Sequence, residues 1–218
     1  MQILFYEDNG KQYVEQPYQG IYIPAPALEE KKLHSGDNMN DLILTTPSKE
    51  HEAQVMAFRE EMQRNGEGFC GCSGLEDTPN YDEWLDFNGR IARLGWTPST
   101  TYIGIRASDG MLIGMIDLRH ELSGFLLKYN GQIGYSVRPL ERKKGYASQM
   151  LMLVLKEAEN FGYNRVLVCC NKKNIHSARV IQKCGGVLEN EVIHEFSPVG
   201  RPDIIQRYWI ETHCSLRK

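Results

Sequence analysis

The sequence has no apolar run that approaches the ~18 residues needed to cross a bilayer, so no membrane partner is expected. Its opening, MQILFYEDNGK, lacks the basic n-region and apolar h-region of an export signal, which sets the expectation of a cytoplasmic protein. Positive charge is not in excess either. Lys and Arg number 25 against 28 Asp and Glu, for a net charge of -3 and a pI near 6.1, which argues against a nucleic-acid partner. The six cysteines lack the spacing of a zinc site. Cys70 and Cys72 have one residue between them where a metal-binding turn has two, and Cys169 and Cys170 are neighbours that a strand points to opposite faces. Reduced thiols, acting as small buried apolar groups, are expected, with no metal.

What is present is an ordinary globular mixture, 41% apolar and 24% charged, in a chain of 218 residues, enough for one core. Residues 1–38 read as an appendage: ILFY and QYVE flank Asn9-Gly10, a hairpin signal, and IYIPAPALEE follows. Residues 39–218 read as the main domain. A strand at Leu42 to Leu44 leads into a helix with Ser48 as cap and Val55, Phe58 and Met62 on one side. The loop GEGFCGCSG holds four glycines, and a helix with Tyr81, Trp84 and Leu85 as its buried face starts near Thr78-Pro79. TYIGIRA and MLIGMIDLRH, joined at Ser108-Asp109-Gly110, are followed by GQIGYSV. A long helix (Met150, Leu151, Val154, Ala158, Phe161), the strand RVLVCC, the helix NIHSARVIQKC and two closing strands complete the order. The pattern predicts an α/β (α+β) fold: a mixed sheet flanked by helices.

The stretch RPLERKKGYASQM, residues 138–150, crowds Arg142, Lys143 and Lys144 before Gly145 at the mouth of the long helix. A first helical turn leaves backbone amides unpaired and carries partial positive charge. Gly145 and small Ala147 keep the approach open, with the amides of Tyr146 and Ser148 in the same turn. The pattern points to a bound pyrophosphate. A glycine at a helix mouth does not choose its phosphate, so a nucleotide-binding module of another kind remains an alternative.

IGYSVRPLERKKGYASQML resembles the acetyl-CoA signature of the GNAT superfamily of N-acetyltransferases, Gln/Arg-x-x-Gly-x-Gly/Ala, at Arg142, Gly145 and Ala147. Asn174, Ser177 and the Lys183-Cys184-Gly185 that follows resemble its second signature. The resemblance covers roughly residues 39–212. It implies a mostly antiparallel sheet splayed between the strand ending at Val137 and the strand at Val166 to Cys170, with the pantetheine arm in the gap. The backbone of Tyr135, Ser136 and Val137 would bond that arm from one side, and Asn174 and Ser177 would reach it from the other. It also implies acetyl-CoA as co-substrate, an amine acceptor attacking the thioester directly, and, as in many members, a homodimer.

The chain departs from the family pattern twice. Gln132 stands where many members have a glutamate base, and Ile181 stands where many have a tyrosine acid. His120 and Glu121 are the expected substitutes, since a titratable pair at a strand end suits proton transfer near neutral pH. A catalytically silent acyl-CoA-binding protein is the alternative. Glu76, Asp77, Asp82, Glu83 and Asp86, around the second helix, are expected either to attract a cationic amine or to form a solvated face.

Overall fold

The computed structural model describes residues 41–90, 97–122, 124–195 and 202–212, together with the backbone of three short strands, 5–8, 11–14 and 33–34. In chain order these are β1 (Phe5–Asp8), β2 (Lys11–Val14), β3 (Leu33–His34), β4 (Leu42–Thr45), α1 (Glu52–Arg64), α2 (Tyr81–Arg90), β5 (Ser99–Arg106) and β6 (Leu112–Arg119). There follow β7 (Ile133–Val137), α3 (Tyr146–Asn160), β8 (Arg165–Asn171), α4 (Ile175–Lys183), β9 (Val187–His194) and β10 (Asp203–Glu211). β1 and β2 pair with Asp8 opposite Lys11, the spacing expected of a hairpin about Asn9-Gly10. The Asn9-Gly10 turn itself, the proline-bearing stretch 21–30 and the start of the main domain at Met39 lie outside the described residues.

Two antiparallel sheets carry the domain, one in the order β3-β4-β5-β6-β7 and one in the order β8-β10-β9. Leu33 and His34 pair with Leu44 and Ile43, so β3 forms the outer edge of the larger sheet. Two apolar layers cover its faces. Leu151, Val154 and Ala158 of α3 pack with Ile116, Leu118 and Ile133 on one side. Val55, Phe58, Met62, Tyr81 and Trp84 of α1 and α2 pack with Ile103 and Met115 on the other. Trp84 is fully buried and donates its indole N–H to the carbonyl of Cys72, 2.9 Å away, which ties the glycine-bearing loop to α2. Among the described residues, no helix is long and apolar enough to cross a membrane.

The sheets meet at one joint. Gln132 donates its backbone N–H to the Leu167 carbonyl (2.7 Å), and its side-chain carbonyl accepts the Leu167 N–H (3.0 Å). Beside it Gly131 has φ +72°, and a Cβ there would lie 2.5 Å from the Leu167 carbonyl oxygen, so a side chain at this position would force the sheets apart. Beyond the joint β7 and β8 belong to different sheets. This is the splay between Val137 and Val166 to Cys170 expected from the sequence. The residue that replaces a family glutamate is therefore a buried structural bridge, 4% exposed.

Gln132→Ala leaves the Leu167 N–H without its buried acceptor and lowers unfolding free energy by about 1–3 kcal/mol, read by urea denaturation. An unchanged denaturation midpoint would refute the joint.

Candidate active site

Hydrogen-bond phase determines which backbone groups of β7 are free. Arg119 donates its N–H to Gln132 (2.8 Å) and Arg138 to Ile113 (2.9 Å), which makes these the bonded pairs of the β6-β7 ladder. The pairs between them, Leu118 with Ile133, Ile116 with Tyr135 and Gly114 with Val137, are of the other type. Ile133, Tyr135 and Val137 therefore turn N–H and C=O away from β6, into the splay. The Val137 carbonyl accepts Arg142 Nε at 3.1 Å from that side. Ser136, the middle of the expected trio, differs by the same alternation. Its backbone faces β6, and its hydroxyl donates to Gly68 and Cys70 of the glycine loop, at 3.2 and 2.8 Å.

At the C-terminal end of β7, Pro139–Glu141 form a short 3-10 turn and Gly145, with φ +89°, caps α3. Gln149 N–H bonds Gly145 O (3.1 Å), so by helix geometry the amides from Gly145 through Tyr146 and Ala147 to Ser148 have no intrahelical partner. Among the described residues, a Cβ built on Gly145 meets nothing nearer than Gln149 Nε2 at 3.9 Å, and no side chain caps the turn. The corner is open, as a docked diphosphate requires.

The cations behave less uniformly than their sequence neighbourhood suggests. Arg142 pairs with Glu67 (2.7 Å), a contact that holds the Glu67 carboxyl below its usual range. Lys144 pairs with Glu141 (2.9 Å), which Arg106 of β5 also grips at 2.9 Å, and the Lys144 bond is the main cause of the lowered Glu141 pKa. Arg106 also reaches the Tyr146 hydroxyl at 3.3 Å. Lys143 sits in the left-handed region at φ +62°. Across the splay, the Asn174 side chain caps α4 by accepting Ser177 N–H (3.1 Å), and the Ser177 hydroxyl lies 2.8 Å from the Tyr135 hydroxyl. Tyr135 and α4 thus bridge the gap on the α3 side, and burial raises the Tyr135 phenol.

Alternation along β6 sorts the catalytic candidates. Ile116 and Leu118 face α3, and so does His120: its ring stacks on Phe161 with centroids 4.5 Å apart and bonds the Thr100 hydroxyl at 2.8 Å. Tyr163 donates its hydroxyl to the His120 carbonyl. Burial lowers the His120 pKa, and Nδ1 is buried without a partner. The structure thus places His120 on the face opposite the glycine loop, with the half-buried Glu121 following it past the end of the strand.

Asp117 and Arg119 take the loop face. Asp117 is 3% exposed, accepts Gly134 N–H at 2.8 Å and pairs with Arg119 at 3.0 Å, while burial raises its pKa. Sequence reasoning passed over this pair, although an acidic residue inside the apolar strand MLIGMIDLRH was a visible signal. Ile181 is fully buried in the core. Of the acidic run, Asp82 pairs with Lys49 at the surface and Glu83 with Asn80, while Tyr81 and Trp84 fill the core. Among the described residues no group of His, Cys, Asp or Glu is arranged to hold a metal.

A His120 pKa below the ordinary 6.5 means that the unfolded chain takes up this proton first as pH falls. Stability is therefore complete above the ordinary histidine range and declines as pH drops through it. Urea denaturation from about pH 8 to about pH 5 should show this slope, and His120→Asn should flatten it.

The model of the family described as "Acetyltransferase (GNAT) domain" matches residues 41–187. No curated protein matches the sequence. Among solved structures, a chimera of the spermidine N-acetyltransferase SpeG from Vibrio cholerae and hSSAT is similar at 16% identity and TM-score 0.60, over 82% of this chain and all 100% of that one. The ribosomal L7/L12 alpha-N-protein acetyltransferase RimL is similar at 16% identity and TM-score 0.59, over 87% and 98%. The Vibrio cholerae spermidine N-acetyltransferase in complex with CoA and spermine is similar at 17% identity and TM-score 0.57, over 79% and 96%. The open corner at Gly145, the outward edge of β7 and the family match over most of the domain lead to one conclusion: the chain belongs to the GNAT acetyltransferases, which use acetyl-CoA as acyl donor.

Proposed function

We propose that this protein transfers the acetyl group of acetyl-CoA to a primary amine by direct attack, at the splay between β7 and β8. The observation that carries the reading is the outward edge of β7 running directly to the open, amide-rich mouth of α3. Acetyl-CoA supplies the activated acyl group as a thioester. The amides of Gly145, Tyr146, Ala147 and Ser148 hold its diphosphate, with Arg142, Lys143 and Lys144 around them. Tyr135 and Val137 bond the amide-bearing arm as a neighbouring strand would. Asn174 and Ser177 close the gap from α4. The outward N–H groups of β7 are also suited to stabilise negative charge that develops on the carbonyl oxygen. The domain is read as running from 39 to 218, with residues 1–38 as an appendage whose strand β3 adds to the edge of the larger sheet.

Direct attack is favoured over a covalent enzyme intermediate because desolvation raises every described thiol, Cys169 to about 12 and Cys170 and Cys184 to about 11. A cysteine kept protonated is a poor nucleophile. The His120 ring is enclosed on the α3 side, so the amine attacks as its own free base, the thioester C–S bond breaks to release CoA as its thiolate, and the amine's proton passes by way of water to that thiolate. The dependence of kcat/KM on pH should then follow the ionisation of the amine, with no inflection in the histidine range, and His120→Asn should preserve that shape. A rising limb near neutral pH that disappears in the variant would restore His120 as the base.

Glu67 competes with a diphosphate for Arg142. An exposed pair of this kind is worth about 0.2–1 kcal/mol, so Glu67→Gln should tighten CoA binding by at most about fivefold in calorimetry. Weaker binding in the variant would show that the Glu67 contact supports the cofactor site.

A further inference from the structure

The segment 138–145 joins β7 to α3, so its shape fixes where the amides of the helix mouth stand relative to the outward edge of β7. Two of its residues are left-handed, Lys143 at φ +62° and Gly145 at φ +89°. Glycine takes that conformation freely. Lysine does not, and its surroundings must hold it there. Part of the hold is local: Glu141 donates its N–H to the Arg138 carbonyl at 3.0 Å. The rest comes from Arg106, at the far end of another hairpin.

Arg106 ends β5 opposite Leu42, whose side chain joins the α3 core, so the arginine leaves the sheet on the α3 face. There its Nη1 bonds Glu141 at 2.9 Å, before the left-handed pair, and the Tyr146 hydroxyl at 3.3 Å, after it. One guanidinium nitrogen thus grips the loop at both flanks. The Glu141 side chain is 10% exposed, and a carboxylate so far from water needs cationic partners, here Arg106 and Lys144 at 2.9 Å each. The other edge of Arg106 is held as well. Asp109, in the turn between β5 and β6, takes Nε at 2.9 Å and Nη2 at 2.6 Å, a two-bond grip that fixes the plane of the guanidinium. Asp41 braces that turn by accepting the Ser108 N–H at 2.7 Å.

We propose that Arg106 is a positioning residue for the acyl donor: acting through Glu141 and Tyr146, it holds the loop Arg142 to Gly145 in the shape that presents the helix-mouth amides to the diphosphate. The inference rests on the acetyltransferase reading above and adds to that site a residue outside the stretch 138–150. It makes Asp109 an indirect contributor too, because loss of its grip frees the guanidinium to turn away from Glu141 and Tyr146. Lys144 keeps Glu141 paired when Arg106 is replaced, so the effect falls on the shape of the loop.

The test measures CoA binding to the full chain by calorimetry. Arg106→Gln should raise the Kd for CoA by about tenfold, the loss expected when several hydrogen bonds to the diphosphate are misaligned, and Arg106→Lys should restore part of it. In turnover with an amine that the unmodified protein acetylates, KM for acetyl-CoA should rise with kcat unchanged, whereas partial unfolding would lower kcat and leave KM alone. Combined with Glu141→Gln, Arg106→Gln should cost less than the product of the two single losses, because both act on one contact. Asp109→Asn, at an exposed turn position, should give a weaker form of the same loss, and it carries the test if Arg106→Gln does not fold. Unchanged CoA affinity in the folded variants, independent losses in the double variant, or a fall in kcat at constant KM would overturn the positioning role and leave the acetyltransferase reading standing. No CoA binding to the unmodified protein would overturn both.

Discussion

Two sheets are held together at Gln132 and separate immediately beyond it, and most of the chemistry follows from that joint. The side chain of Gln132 supplies the acceptor that a neighbouring strand would otherwise provide to Leu167. Gly131 permits the close approach that makes the bond possible. Past this point, among the described residues, no strand of the second sheet pairs with β7, and of its outward groups the Val137 carbonyl is taken by Arg142. A polar edge left unpaired is unfavourable unless water, protein or ligand satisfies it, so the joint locates the open edge on which the proposed binding site is built.

Side-chain alternation then divides the chemistry between two faces. On the α3 side, Tyr135 reaches Ser177, and His120 is enclosed by Phe161 and Thr100. On the loop side, Ser136, Asp117 and Arg119 meet the glycine-bearing loop and the joint. The face a residue occupies, and not its nearness in sequence, decides what it meets. His120 and Arg119 are adjacent in the chain and take part in different halves of the molecule.

Carboxylates offset part of the charge of the cations at the helix mouth. Glu67 engages Arg142, and Glu141 is shared between Lys144 and Arg106. The helix amides are the groups left open at this corner, and the proposed diphosphate would have to displace Glu67 to reach Arg142.

Much was determined by the sequence alone. Periodicity fixed the order and type of the elements from Leu42 to Glu211, because apolar spacing is a local property. The stretch Arg142 to Ala147 pointed to an anion site at the helix mouth, because helix-end chemistry is also local. The signature residues identified the family for the same reason. The role of Gln132 as a bridge, the turning of Ser136 away from the gap, the removal of His120 to the α3 face and the pairing of Asp117 with Arg119 were decided only by the tertiary structure. Each depends on strand register and on which partner lies across a sheet, and those are set by contacts between residues distant in the chain that no local pattern encodes.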